Sequence, residues 1–131
     1  MDRKVISSDQ APAALGPYSQ GVSCGGLLFC AGQIPLDPST GRLVKGDTRQ
    51  QAMRVIENLR AILEAGGSRL SQVLRLDVYL TDLSVFPEVN EYLSRVFPEA
   101  PPARVTVEVS ALPLGAQIEM AAIAAISKRK D

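Results

Sequence analysis

Histidine and tryptophan do not occur among the 131 residues, cysteine occurs twice, and aromatic residues make up only 5%. Without histidine there is no Ser-His-Asp triad, no Cys-His pair, no HExxH zinc helix and no imidazole base. Two cysteines cannot close a four-thiolate zinc site, and no imidazole exists to complete a mixed one, so no metal centre is expected. Acid–base chemistry is left to carboxylates, Tyr, Lys, Cys or held water. An excess of either charge is also missing: 14 Lys and Arg balance 14 Asp and Glu. That balance and the few aromatics argue against nucleic acid as a partner. The Lys128-Arg129-Lys130 cluster reads as a solvated tail. No apolar run nears the ~18 residues of a spanning helix, and Met1-Asp2-Arg3-Lys4 lacks the apolar stretch of a signal peptide. A cytoplasmic protein away from membranes is expected.

What is present is core material, with 46% of the residues hydrophobic. At 14.0 kDa the folded surface scales to ~6,700 Å² against ~20,000 Å² for the open chain, enough burial for one core. One domain over residues 1–131 is expected. Val22 to Cys24 and Leu27 to Ala31 read as strands joined by a Gly25-Gly26 turn. That turn sets Cys24 opposite Leu27 and Cys30 nearer Gly21, which disfavours a disulfide and leaves both as small core hydrophobes. Ile34 to Gly41, broken by two prolines, reads as a loop. Asp47 with Gln50 forms a capping box for a helix whose apolar stripe is Ala52, Val55, Ile56, Leu59, Ile62 and Leu63. Gly66-Gly67 stops that helix.

Val73 to Leu80 alternates, with Leu74, Leu76, Val78 and Leu80 on one face. A second helix runs from about Ser84 to Val96, ended by Pro98. Strands at Arg104 to Val109 and Gln117 to Ile126 finish the chain, and Val5-Ile6 supplies a short extra one. The order implies an α+β fold with both helices on one face of a sheet. The last strand is apolar on both sides: Ile118, Met120, Ala122, Ala124 and Ile126 against Glu119, Ala121, Ile123 and Ala125. Two helices cover only one side, so the other is buried by closure of the sheet or by a homo-oligomer, the latter being preferred.

Placing Val105, Val107 and Val109 under the helices puts Arg104, Thr106 and Glu108 on the opposite face, with Glu119. Arg104 and Glu119 then project from neighbouring strands toward one interface. They form either a structural ion pair or a carboxylate clamp beside a general acid/base. Tyr18 and Gly32-Gln33 sit at loop–strand junctions, and Asn90 lies mid-helix, where its amide can cap a nearby loop.

Several ordered motifs share one source. The segments Ala11 to Gln20, Ala31-Gly32-Gln33-Ile34-Pro35, Asp82-Leu83, Phe86, Val89-Asn90, Pro102-Ala103-Arg104, Ala111-Leu112-Pro113 and Ile118-Glu119 resemble the RidA (YjgF) family of reactive intermediate deaminases. The resemblance implies a chorismate-mutase-like homotrimer with sheets facing the axis and ligand clefts between subunits. It implies cofactor-free hydrolysis of small 2-imino acids, such as 2-iminopropionate and 2-iminobutyrate, to 2-oxo acids and ammonia. Arg104 would hold the substrate carboxylate and Glu119 would orient or activate water. Backbone at Gly32 and Thr106 would add hydrogen bonds, while Tyr18 and Asn90 line or support the cleft. Ala31 stands where many family deaminases carry Ser, and Thr106 where many carry Cys. A binding module that captures a small carboxylate without turnover is the alternative, and the RNA cleavage reported in the family is a third reading.

Overall fold

A computed structural model describes residues 2–127, so the basic cluster at 128–130 lies outside the described residues. Gly25 and Gly26 both take positive φ, 59° and 82°, which a two-residue hairpin turn requires and glycine supplies without strain. The turn joins β2 (Gly21–Cys24) to β3 (Leu27–Gln33), and β1 (Lys4–Ile6) pairs antiparallel with β2. Cys24 lies opposite Leu27 and Cys30 opposite Gly21, as the turn demands, and both thiols are free.

The helix α1 (Thr48–Ala65) begins at the expected box: Asp47 Oδ1 accepts from the Gln50 amide and Gln50 Oε1 accepts from the Asp47 amide, each at 2.9 Å. Every residue of its predicted stripe is buried. The remaining elements are β4 (Val73–Leu80), α2 (Phe86–Val96), β5 (Ala103–Glu108) and β6 (Ile118–Ala125). They form one mixed sheet ordered β1-β2-β3-β6-β4-β5, antiparallel except where β4 meets β5. Leu28, Cys30, Leu76, Val78, Leu80, Ile118 and Met120 pack beneath Val55, Ile56, Leu59, Ile62, Val89 and Leu93. Truncating any large member of this core to Ala costs about 2–5 kcal/mol.

Two strand phases differ from expectation. Leu74 is 50% exposed, because the pairing of β4 with β6 shifts between Val73 and Arg75 and puts Val73 into the core instead. The second difference concerns β5. Its parallel register sets Arg104 beside Leu76, Thr106 beside Val78 and Glu108 beside Leu80, all three partners being buried under the helices. Residues in register share a face, so Arg104, Thr106 and Glu108 lie on the helix side. Val105 and Val107, 40% and 39% exposed, lie on the open side with Asp77 and Tyr79.

Candidate active site

Glu119 occupies the open face, in register with Tyr79. It is partly buried, and among the described residues its carboxylate has no hydrogen-bond or ion-pair partner. Desolvation therefore goes uncompensated and raises its pKa above the ordinary carboxylate value. Beside it the pairing of β3 with β6 is interrupted between Cys30 and Gln33, and the irregularity lets Gly32 lie directly against the acid. A Cβ on Gly32 would overlap the Glu119 carboxylate, so a larger residue here would displace the acid from its present position. Glu119, Gly32 and Tyr18 line an open cleft of about 210 Å³. Its other walls are mainly apolar: Pro12 and Leu15 before β2, Ile34 and Leu36 after β3, Pro113 before β6. The Tyr18 hydroxyl accepts from the Leu15 amide at 3.1 Å, which ties the segment preceding β2 to itself.

These walls belong to irregular segments, and buried amides hold each in place. Gln20 donates to the carbonyls of Ser8, Ala11 and Pro12 and accepts from the Ser8 amide. Asn58 of α1, fully buried, donates to the carbonyls of Ile34 and Leu36. Gln51 accepts from the Gln117 amide at 2.9 Å, and the Thr48 hydroxyl bonds the Gln117 side chain. Each tie satisfies polar groups that would otherwise be costly to bury.

Arg104 lies elsewhere. Its Nη2 donates to Asn90 Oδ1 at 2.5 Å, and its guanidinium sits 5.6 Å from the centroid of the Phe86 ring. Asn90 therefore holds the arginine rather than capping a loop. Arg104 and Asn90 line a second cleft of about 550 Å³, with Leu93, Phe97 and Pro102 among its walls. Among the described residues Asn90 is the guanidinium's one hydrogen-bond partner, and its planar fork suits a carboxylate.

The predicted site thus divides. Tyr18, Gly32 and Glu119 meet on one cleft, Arg104 and Asn90 on another. Arg104 and Glu119 are not on neighbouring strands, since β4 runs between β5 and β6, and they lie on opposite faces. A structural ion pair between them within one chain is excluded. Thr106 follows Arg104 on the helix side, and the Ala31 amide donates to the Gln20 carbonyl at 2.8 Å. Cys30 is a core residue whose thiol burial pushes up to about 12, so it is no nucleophile. Phe86, Leu36 and Asn58 received no site role from sequence reasoning. Phe86 stood in a recognised motif and could have been found by its spacing from Asn90, whereas Leu36 and Asn58 carry no local signal.

The family profile described as "Endoribonuclease L-PSP" matches residues 8–126. The chain belongs to that family, the RidA (YjgF) family. It is similar to protein DfrA of Myxococcus xanthus, with 56% identity over 95% of this chain and 96% of the relative. It is 43% identical to the 2-iminobutanoate/2-iminopropanoate deaminase of Mus musculus, over 93% of this chain and 90% of that one. A crystal structure of Escherichia coli TdcF with bound serine superposes with a TM-score of 0.88 at 37% identity, covering 95% of this chain and 99% of that one. The RidA fold of a six-stranded sheet with two helices is thereby shared.

Proposed function

We infer that this protein hydrolyses reactive 2-imino acids to 2-oxo acids and ammonia, in a homotrimer whose clefts pair Glu119 of one subunit with Arg104 of the next. One observation carries the reading: a partly buried, partnerless Glu119 carboxylate faces a cleft of small-molecule size. The raised pKa suits a group that both takes and returns a proton. Water adds to the imine carbon while Glu119 accepts its proton. That proton passes to nitrogen to give the carbinolamine. Glu119 then takes the hydroxyl proton and delivers it to the amine as the C–N bond breaks, so that the carbonyl forms and ammonia leaves. The imine carbon is already electrophilic, so positioning and one carboxylate suffice.

Arg104 supplies the anchor. Its fork fits the substrate carboxylate, and the serine bound to TdcF is a ligand with such a group. Because Arg104 and Glu119 occupy opposite faces of one sheet, a shared substrate requires two subunits. The open face offers an interface, since Phe29, Ile123, Ala121, Val105 and Val107 leave it largely apolar. The test is release of 2-oxo acid when 2-iminopropionate or 2-iminobutyrate is generated in situ. Arg104→Ala should abolish it while leaving the thermal transition in place, and equal rates would sink the reading.

Capture of a small carboxylate without turnover is the second reading, favoured by Ala31, which puts no hydroxyl beside Gly32. Thermal stabilisation by small carboxylates with no turnover of any imine would support it instead. RNA cleavage that fell with both Arg104 and Glu119 substitutions would bring forward the activity in the family's description.

A further inference from the structure

The Glu119 cleft is larger than its simplest substrate needs. A methyl side chain is a single carbon, whereas an engineered apolar cavity of about 150 Å³ accepts benzene, and this cleft offers about 210 Å³. Its walls beyond the carboxylate are mainly the apolar Pro12, Leu15, Ile34, Leu36 and Pro113. Of the polar members, the Tyr18 hydroxyl accepts from the Leu15 amide and the Gln33 side chain donates to the Ala31 carbonyl. The five apolar walls neither donate nor accept through their side chains, so water against them is poorly held and an apolar group displaces it favourably. The walls cannot simply collapse around a small ligand. Gln20 fixes the carbonyl of Pro12, Asn58 those of Ile34 and Leu36, and Gln51 the amide of Gln117 close behind Pro113.

We propose that this recess is a side-chain subsite, and that the protein prefers 2-imino acids bearing apolar side chains of about three or four carbons over 2-iminopropionate. The proposal rests on Glu119 and Arg104 acting on the imine and carboxylate as above. With those ends fixed, the side chain is the part of the substrate left to fill the recess. Each buried methylene then contributes about a fourfold gain in binding of the transition state.

The experiment compares kcat/KM for imines generated in situ by an amino-acid oxidase from alanine, 2-aminobutyrate, norvaline and leucine. A rise of about fourfold per carbon is expected, and a flat or falling series with measurable turnover overturns the proposal. A second arm needs no catalysis: calorimetric Kd values for pyruvate, 2-oxobutyrate and 4-methyl-2-oxopentanoate on the wild type and on Ala13→Leu. Ala13 is exposed and lines the cleft, so the larger side chain intrudes on the recess without disturbing the core. The affinity gradient should appear in the wild type and vanish in the variant. A gradient without turnover of any imine removes the deaminase reading and leaves the subsite standing. A gradient that persists in Ala13→Leu, or no binding of any oxo acid, overturns the subsite.

Discussion

Within one chain, desolvation opposes the charge of Glu119 and no cation among the described residues offsets it, so its substitution separates catalysis from stability. Glu119→Gln keeps the shape and removes the proton acceptor; imine turnover should fall by about 10²–10⁴-fold. The same variant should melt higher at pH 7. The folded pKa lies above the unfolded one, so this carboxyl's contribution to stability is fully present below the unfolded value. It is lost as pH rises through the folded value. The difference in Tm between wild type and variant should shrink toward acidic pH, and a constant difference would discount the desolvation account. The acid limb of the rate profile should accordingly lie above the ordinary carboxylate range of about 4.3. Gly32→Ala tests the neighbouring contact. Its Cβ displaces the carboxylate, so turnover should drop at least tenfold with the thermal transition nearly unchanged, because the flexible acid can swing away.

At the scale of elements, α1 both roofs the sheet and frames the cleft. Asn58→Ala removes the side-chain donor from the Leu36 carbonyl, while the Ile34 carbonyl keeps the Leu36 amide, and should cost about 1–3 kcal/mol in urea unfolding. Met53→Ala, at an exposed position on the same helix, should change stability by no more than about 0.5 kcal/mol. α1 was legible in the sequence because its cap, stripe and terminal glycine agree with one another, and the β2–β3 hairpin because two adjacent glycines leave little choice of turn. The phase of β5 was not. Arg-Val-Thr-Val-Glu alternates cleanly, and assigning the apolar face to the helices is the ordinary reading when a sheet has one buried side. Here the polar residues take that side at the edge of the sheet, where Arg104 reaches Asn90 and Glu108 accepts from the Leu83 amide at 2.8 Å. Only the parallel register with β4 distinguishes the two phases, and that is a non-local fact. Leu74 failed for a related reason, since one bulge interrupts the alternation. The site suffered with the strand: each residue's chemistry was readable, but whether two of them share a face depended on register.

The whole molecule presents an open face on which Val5, Val22, Phe29 and Ile123 form one cross-strand row, while Tyr79 and Val107 continue from Glu119. Arg75 and Asp77, paired at 2.8 Å, are the polar exceptions near its centre. A face of this kind gains by burial against copies of itself, and a closed ring of three would set each Glu119 against a neighbour's Arg104. Sedimentation should then report three times the 14.0 kDa chain mass, and Ile123→Asp should shift it toward one. The proposed sharing of a site between chains has a stricter consequence. Arg104→Ala and Glu119→Gln should each be nearly inactive alone, but in mixed trimers some clefts would receive Arg104 from one variant and Glu119 from the other. Random mixing of equal amounts through denaturation and refolding restores about a quarter of the clefts, since each of two neighbours must be of the right type. Activity near a quarter of wild type is expected after co-refolding, and none when the two refolded variants are merely combined. If both residues served the same chain, no mixture could recover, because every chain would still lack one of them.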